Sequence, residues 1–194
     1  MRQDTRAVVA SAIRLEDWHA TAYSTCTQHR HSRRIATYLF VGPVAALGLQ
    51  IWAAFVAWAA YYHSGGKEAS LKSNIPAHIW GALLGWAALL GINALAGSLG
   101  VPLAAGISVA VTVIVLVLGA NTPMLASIPS SVYGYACVAA YALLAGKLGT
   151  LTSASLVDNP LINIVVSMIV GSLLGWLSER IATALAAKGV AAAA

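Results

Sequence analysis

Gly119-Ala120-Asn121-Thr122-Pro123-Met124-Leu125-Ala126-Ser127-Ile128-Pro129-Ser130-Ser131-Val132-Tyr133-Gly134-Tyr135 interrupts an otherwise apolar sequence. Two prolines, an asparagine, a threonine and three serines fall between Asn121 and Ser131. A continuous membrane helix does not accommodate such a stretch. Proline removes a backbone donor and clashes with the preceding turn, and in hydrocarbon each freed backbone group needs another partner. Two readings fit the segment. A broken helix near 121–131 restarts at membrane depth around Ser127–Ser131, its N-terminus turned toward a wet site. Alternatively the segment is an ordinary interhelical loop outside the bilayer.

Working outward, 59% of residues are hydrophobic and only 9% charged, against about 25% charged in a soluble domain. Mean hydropathy is +0.79. No Asp, Glu, Lys or Arg occurs between Lys72 and Lys147, a silence long enough for three crossings of about 20 residues each. The composition predicts an all-α, polytopic transmembrane bundle with the lipid bilayer as its main partner. The net charge of +5 does not indicate nucleic acid, because the basic residues crowd into residues 1–34 and read as a cytoplasmic anchor. Cys26 and Cys137 form no disulfide framework. The first 34 residues lack the apolar stretch of a cleavable signal, so none is expected.

The chain divides into a basic, amphipathic N-terminal segment at 1–34, a transmembrane domain at 35–187 and a tail at 188–194. Within 5–23, Val8, Ala12, Leu15, Trp18 and Ala22 fall at helical spacing, as in a helix lying in the headgroup region or packed on the protein itself. Cys26, His29 and His31 could ligate zinc. They lack a nearby fourth ligand and sit among arginines, so no metal is expected. Five spans follow, at about 35–62, 76–98, 101–120, 131–149 and 160–185. The first exceeds the about 30 Å core if continuous, and Gly42-Pro43 and Gly48 mark where it could break. The second and fifth open with Pro76 and Pro160, at favourable first-turn positions.

An internal similarity links the ends of this array. Ala59-Ala60-Tyr61 with Gly66-Lys67 recurs as Ala139-Ala140-Tyr141 with Gly146-Lys147. Gly81-Ala82-Leu83-Leu84-Gly85-Trp86 recurs as Gly171-Ser172-Leu173-Leu174-Gly175-Trp176, and Ala94-Leu95-Ala96 as Ala184-Leu185-Ala186. Spans one and two thus resemble spans four and five. The lone third span between them would force opposite orientations, as in inverted-repeat transporters. Chance similarity in an Ala/Gly/Leu-rich chain also fits, and the Gly-x-x-x-Gly pairs read equally as close helix-packing positions.

No carboxylate is expected in the interior of a span, Asp158 and Glu179 lying at the edges, which argues against obligate ion coupling, and no nucleophile–base constellation suggests an enzyme. The candidate substrate or pore-lining residues are uncharged polar groups in apolar surroundings and their neighbours: Gln50, Asn93, Asn121, Thr122, Ser127, Pro129, Ser130, Ser131 and Tyr133. Such side chains can relay hydrogen bonds to a small solute, helped by a helix N-terminus carrying about +0.5 charge. Each can equally be interhelical glue.

Trp52-Ala53-Ala54-Phe55 leading to Ala60-Tyr61 and Gly65-Gly66, the Gly/Leu/Trp-rich second span, and Ser127-Ile128-Pro129 ahead of Gly134 resemble the bacterial inner-membrane proteins grouped as domain of unknown function 1097. The resemblance covers roughly residues 38–185 and implies a small multi-spanning inner-membrane protein. The residues themselves suggest a channel or facilitator for a small neutral or anionic solute. Such a protein would need no cofactor, would form a homo-oligomer and would keep its N-terminus in the cytoplasm. A membrane anchor or regulator acting through the basic N-terminal tail is the other reading.

Overall fold

The computed structural model describes Gly42 and residues 45–193, with side chains to residue 184. The N-terminal amphipathic segment, the Cys26/His29/His31 stretch and most of the first part of span one lie outside the described residues. Residues 44–194 form one compact unit. It contains five α-helices and, among the described residues, no strand: α1 (Ile51–His63), α2 (Glu68–Leu99), α3 (Val101–Gly119), α4 (Ile128–Leu144) and α5 (Pro160–Ala193). Short 3-10 turns at Pro123–Leu125 and Leu148–Thr150 lead into and out of α4. Among the described residues, α2, α3 and the Pro160–Ala184 part of α5 are long and apolar enough to cross a membrane, and α4 is a shorter apolar helix. The all-helical, membrane-type bundle expected from composition is what forms.

Several boundaries differ from the sequence expectation. Span one does break at Gly48, whose φ of +72° suits a residue without Cβ, leaving α1 only 13 residues long. Span two starts eight residues earlier than the proline rule suggested, so Pro76 lies inside α2. The carbonyl it deprives of a donor is that of Lys72, an exposed residue. Glu68 supplies the acidic first turn that the helix dipole favours. Ser70 Oγ holds that turn down, accepting from the Lys67 amide at 3.5 Å and donating to the Ser64 carbonyl at 2.7 Å. Residues 68–75, which fall between the first and second expected spans, are therefore helix. Span four ends at Leu144 rather than 149, and α5 carries Glu179 and Arg180 within it and continues through the expected tail to Ala193.

Contacts between the helices fix their running directions. Along α2 and α4, Asn74 meets Ser130, Gly81 backs onto Ser131 and Gly85 onto Tyr135, so the two are parallel. Gln50, just before α1, meets Ser167 of α5. Ala54 then meets Gly171, Tyr61 meets Gly175 and Tyr62 meets Ser178, so α1 and α5 are also parallel. Arg180, late in α5, reaches Glu68 at the start of α2, so these two long helices oppose each other. α3 runs against α2, with Gly91 beside Ser108 and Gly119 beside Trp80. Each shorter helix thus lies along the long helix of the other pair. Residues 71–87 and 161–177 share the same burial class at 16 of 17 positions, so α2 and α5 turn equivalent faces inward.

Glycine makes these crossings close. A Cβ on Gly81 would meet the Ser131 carbonyl, one on Gly134 the His78 carbonyl, and one on Gly171 the Ala54 carbonyl, all well inside contact distance. Between the crossings sits an apolar core of Ala53, Ala57, Ala82, Leu89, Cys137, Val138, Ile164 and Met168.

Candidate functional site

Both long helices open with a polar stripe at i, i+4, i+8 spacing, which places three side chains on one inward face. In α2 the stripe is Ser70, Asn74 and His78, all buried. Leading into α5 it is Asn159, Asn163 and Ser167, also buried. The two central asparagines act alike. Asn74 Oδ1 accepts from Ser64 Oγ and from Ser130 Oγ, each at 2.9 Å, while Nδ2 donates to the Ala60 carbonyl at 3.0 Å. It ties the end of α1 to the start of α4. Asn163 Nδ2 donates to the Gly48 carbonyl at 2.9 Å and the Leu156 carbonyl at 3.0 Å. Ser167 Oγ accepts from the Gln50 amide at 2.9 Å. Together these satisfy the backbone exposed by the Gly48 break, as hydrocarbon requires. Asn159 caps α5, accepting from the Leu161 and Ile162 amides at 2.8 and 3.3 Å.

The sequence candidates divide between these stations. Ser127 Oγ and Ser130 Oγ share a 2.7 Å hydrogen bond, and Ser130 passes the chain on to Asn74. Ser131, 1% exposed, is level with them. Pro129 occupies the first turn of α4, and Tyr133 packs against the apolar core. Gln50 belongs to the Asn163 station at the opposite end. Asn93 is at that end too, donating to the Leu148 carbonyl at 3.4 Å. Asn121 and Thr122 are exposed in the turn after α3, with Asn121 Nδ2 on the Leu118 carbonyl. They do not converge with the serines.

Sequence reasoning missed Asn74, His78, Ser167 and Ser172, and counted Asn163 only as one more polar group in apolar surroundings. The i, i+4 spacing of the stripes was the available signal, masked in α2 by reading Pro76 as a helix start. Among the described residues, several buried polar atoms have no hydrogen-bond partner: Tyr61 Oη, both His78 ring nitrogens, Trp80 Nε1, and the hydroxyls of Ser108, Ser131 and Ser172.

Ion pairs mark both ends of the bundle. Lys147 Nζ lies 2.7 Å from Asp158 Oδ1. The hydrogen bond from Lys147, aided by one involving Ser155, holds the Asp158 carboxyl below its ordinary value, and the same bond raises Lys147. At the other end Arg180 pairs with Glu68 at 2.7 Å and lies 5.0 Å from the Trp176 ring.

No curated protein and no solved structure matches the chain. One family model does, that of the protein of unknown function DUF1097, over residues 34–183. That span takes in α1 to α4 and α5 through the second Gly-x-x-x-Gly pair, with both asparagine stations and both terminal ion pairs, and the chain is a member of the DUF1097 family.

Proposed function

We propose that this membrane protein is a channel or facilitated transporter for a small neutral or anionic solute, built as an inverted repeat of α1–α2 and α4–α5. The reading assigns it no catalysis, no cofactor and no ion-coupling carboxylate. It places the chain in a bacterial inner membrane with the N-terminus cytoplasmic, where Arg30, Arg33 and Arg34 satisfy the positive-inside rule. The chain would assemble as a homo-oligomer. The observation that carries the proposal is the exchange of partners between the two pairs. α1 runs with α5 and α2 with α4, while the long helices oppose each other. With an odd helix between the pairs, that arrangement follows if each pair enters the membrane in the opposite sense. Sites in such proteins lie at the repeat interface, where interrupted backbone meets polar side chains. The break at 47–50 against Asn163 and Ser167, and the 120–127 segment against Asn74, supply that combination at two places.

The test is flux through proteoliposomes, using urea and glycerol as neutral probes and formate and nitrate as anions. Passage of at least one probe above protein-free vesicles is expected. No passage for any of them would sink the transport reading. Deleting residues 1–30 separates the anchor alternative: a lost cellular phenotype with unchanged flux would favour a partner-binding tail.

A further inference from the structure

We propose that His78, Ser131 and Ser172 form a binding station for a small uncharged solute that carries both a hydrogen-bond donor and an acceptor, of the amide or urea type. The assignment rests on the transport reading above and narrows it from neutral or anionic solutes to neutral ones.

Three observations converge. First, each of the three side chains is at most 2% exposed, yet neither His78 nitrogen and neither serine hydroxyl has a partner among the described residues. Buried polar groups are paired in the great majority of cases, and unpaired ones call for an explanation in ligand or water binding. The neighbouring polar residues Asn74, Ser130, Asn163 and Ser167 are each hydrogen-bonded through their side chains, so the region is not loosely built.

Second, the three groups share one level of the bundle. Gly81, three residues past His78, backs onto Ser131, and Gly134, three residues past Ser131, backs onto His78. On the other side, Gly171 backs onto Ala54 and Gly175 onto Tyr61, which sets Ser172 level with the middle of α1. The Ala60 carbonyl there is held by Asn74, one turn before His78. His78, Ser131 and Ser172 therefore fall within about one helical turn, about 5 Å, of a common plane. They sit on α2, α4 and α5, and α2 packs against both of the others. A hydrogen-bonded chain of Ser127, Ser130 and Asn74 leads toward this plane from the 120–127 end, and the apolar layer of Ala82, Val138 and Met168 lies beyond it.

Third, the chemistry is that of an uncharged partner. A neutral imidazole offers one donor and one acceptor, and each hydroxyl can do either. No charged residue lies between Lys72 and Lys147 or between Asp158 and Glu179. An ion at this level would be unpaired in a low-dielectric interior, a large penalty. An amide or urea presents a carbonyl and an N–H side by side and can satisfy imidazole and hydroxyls together.

The experiment uses the full chain in lipid nanodiscs with ¹⁵N-labelled histidine. The His78 ring signals are titrated with urea and with tetramethylurea, which accepts but cannot donate. The same proteins are tested for urea flux in vesicles. A saturable shift with urea, at least tenfold weaker with tetramethylurea, is expected. The Ser131→Ala/Ser172→Ala double variant should weaken the urea response about tenfold. His78→Leu should cut flux at least tenfold, whereas His78→Gln, which keeps a donor and an acceptor, should restore it to within a few-fold. If His78→Leu does not fold, the serine double variant alone decides. Absence of a saturable His78 shift overturns the station whatever the flux shows. A shift without flux supports the station and removes the transport reading. Flux that is indifferent to these substitutions, with no shift, removes the station and leaves transport standing.

Discussion

Replacing Gly81 with alanine tests the architecture most directly. The added Cβ would collide with the carbonyl oxygen of Ser131, far inside the 3.0 Å that real Cβ contacts respect. A helix carbonyl cannot rotate aside, so α2 and α4 must part by about 1 Å. A gap of that size forfeits a quarter to a half of each dispersion contact along the seam. Overpacking of this kind costs about 1–3 kcal/mol, and the rigid obstruction places Gly81→Ala near the upper end. Alanine returns about 1 kcal/mol through its helix preference. The net loss is therefore about 2 kcal/mol, roughly a thirtyfold change in the folded ratio. Gly97→Ala, on the same helix with nothing within 4 Å of its added carbon, feels only the propensity gain and should be stabilised by up to about 1 kcal/mol. Reversible unfolding in mixed micelles, followed by the fluorescence of the six tryptophans, measures both. Equal stability of Gly81→Ala and Gly97→Ala would refute the close crossing.

Other consequences can be checked in the same preparation. Asn74→Ala and Asn163→Ala should each cost about 1–3 kcal/mol by leaving buried carbonyls or hydroxyls unpaired, whereas Asn93→Ala should stay within about 0.5 kcal/mol; similar losses for all three would dissolve the two stations. The Lys147–Asp158 pair stabilises the fold fully above the ordinary carboxylate value of 3.8, and its contribution is lost as pH falls through Asp158's lowered value. On the alkaline side it is present below lysine's ordinary 10.5 and fades as pH rises through Lys147's raised value. Asp158→Asn should remove both dependences, and added salt should shrink them because the pair is partly exposed; an unchanged pH profile would discount the pair. Single cysteines at Lys67 and Lys147, with Cys26 and Cys137 replaced, should react with an impermeant maleimide from opposite faces of the membrane. Labelling from one face would end the inverted arrangement.

The helical class was legible because charge-free apolar runs leave little alternative, and the family resemblance was carried by the same small-residue patterns that now make the crossings. Gly81, Gly85, Gly171 and Gly175 stood out in sequence as packing positions, and the backbone contacts at them explain why a larger residue would not fit. Helix ends were harder. Polar residues 68–75 looked like loop, but they extend α2, and its 32 residues, about 48 Å, outrun the bilayer core. Of the candidate site, Ser130 was found for its place after Pro129. Its partner Asn74, 56 positions away, was not, because taking Pro76 as the helix start hid the i, i+4 spacing of Ser70, Asn74 and His78. Ser130→Leu and Ser131→Leu would have been natural tests of a pore, but both residues are 1% exposed, so leucine would disrupt packing before it blocked anything. Alanine is the informative substitution.

The break at Gly48 also bears on the order of synthesis. The carbonyl of Gly48 and the amide of Gln50 find their partners on Asn163 and Ser167, which are made more than a hundred residues later. Until α5 emerges from the ribosome, these backbone groups are unpaired, and α1 is a 13-residue helix about 20 Å long. Its stable burial must wait for the final helix, so a nascent chain stopped before Asn163 should leave α1 accessible to water and to proteases. A helix translated late thus seats one translated more than a hundred residues earlier.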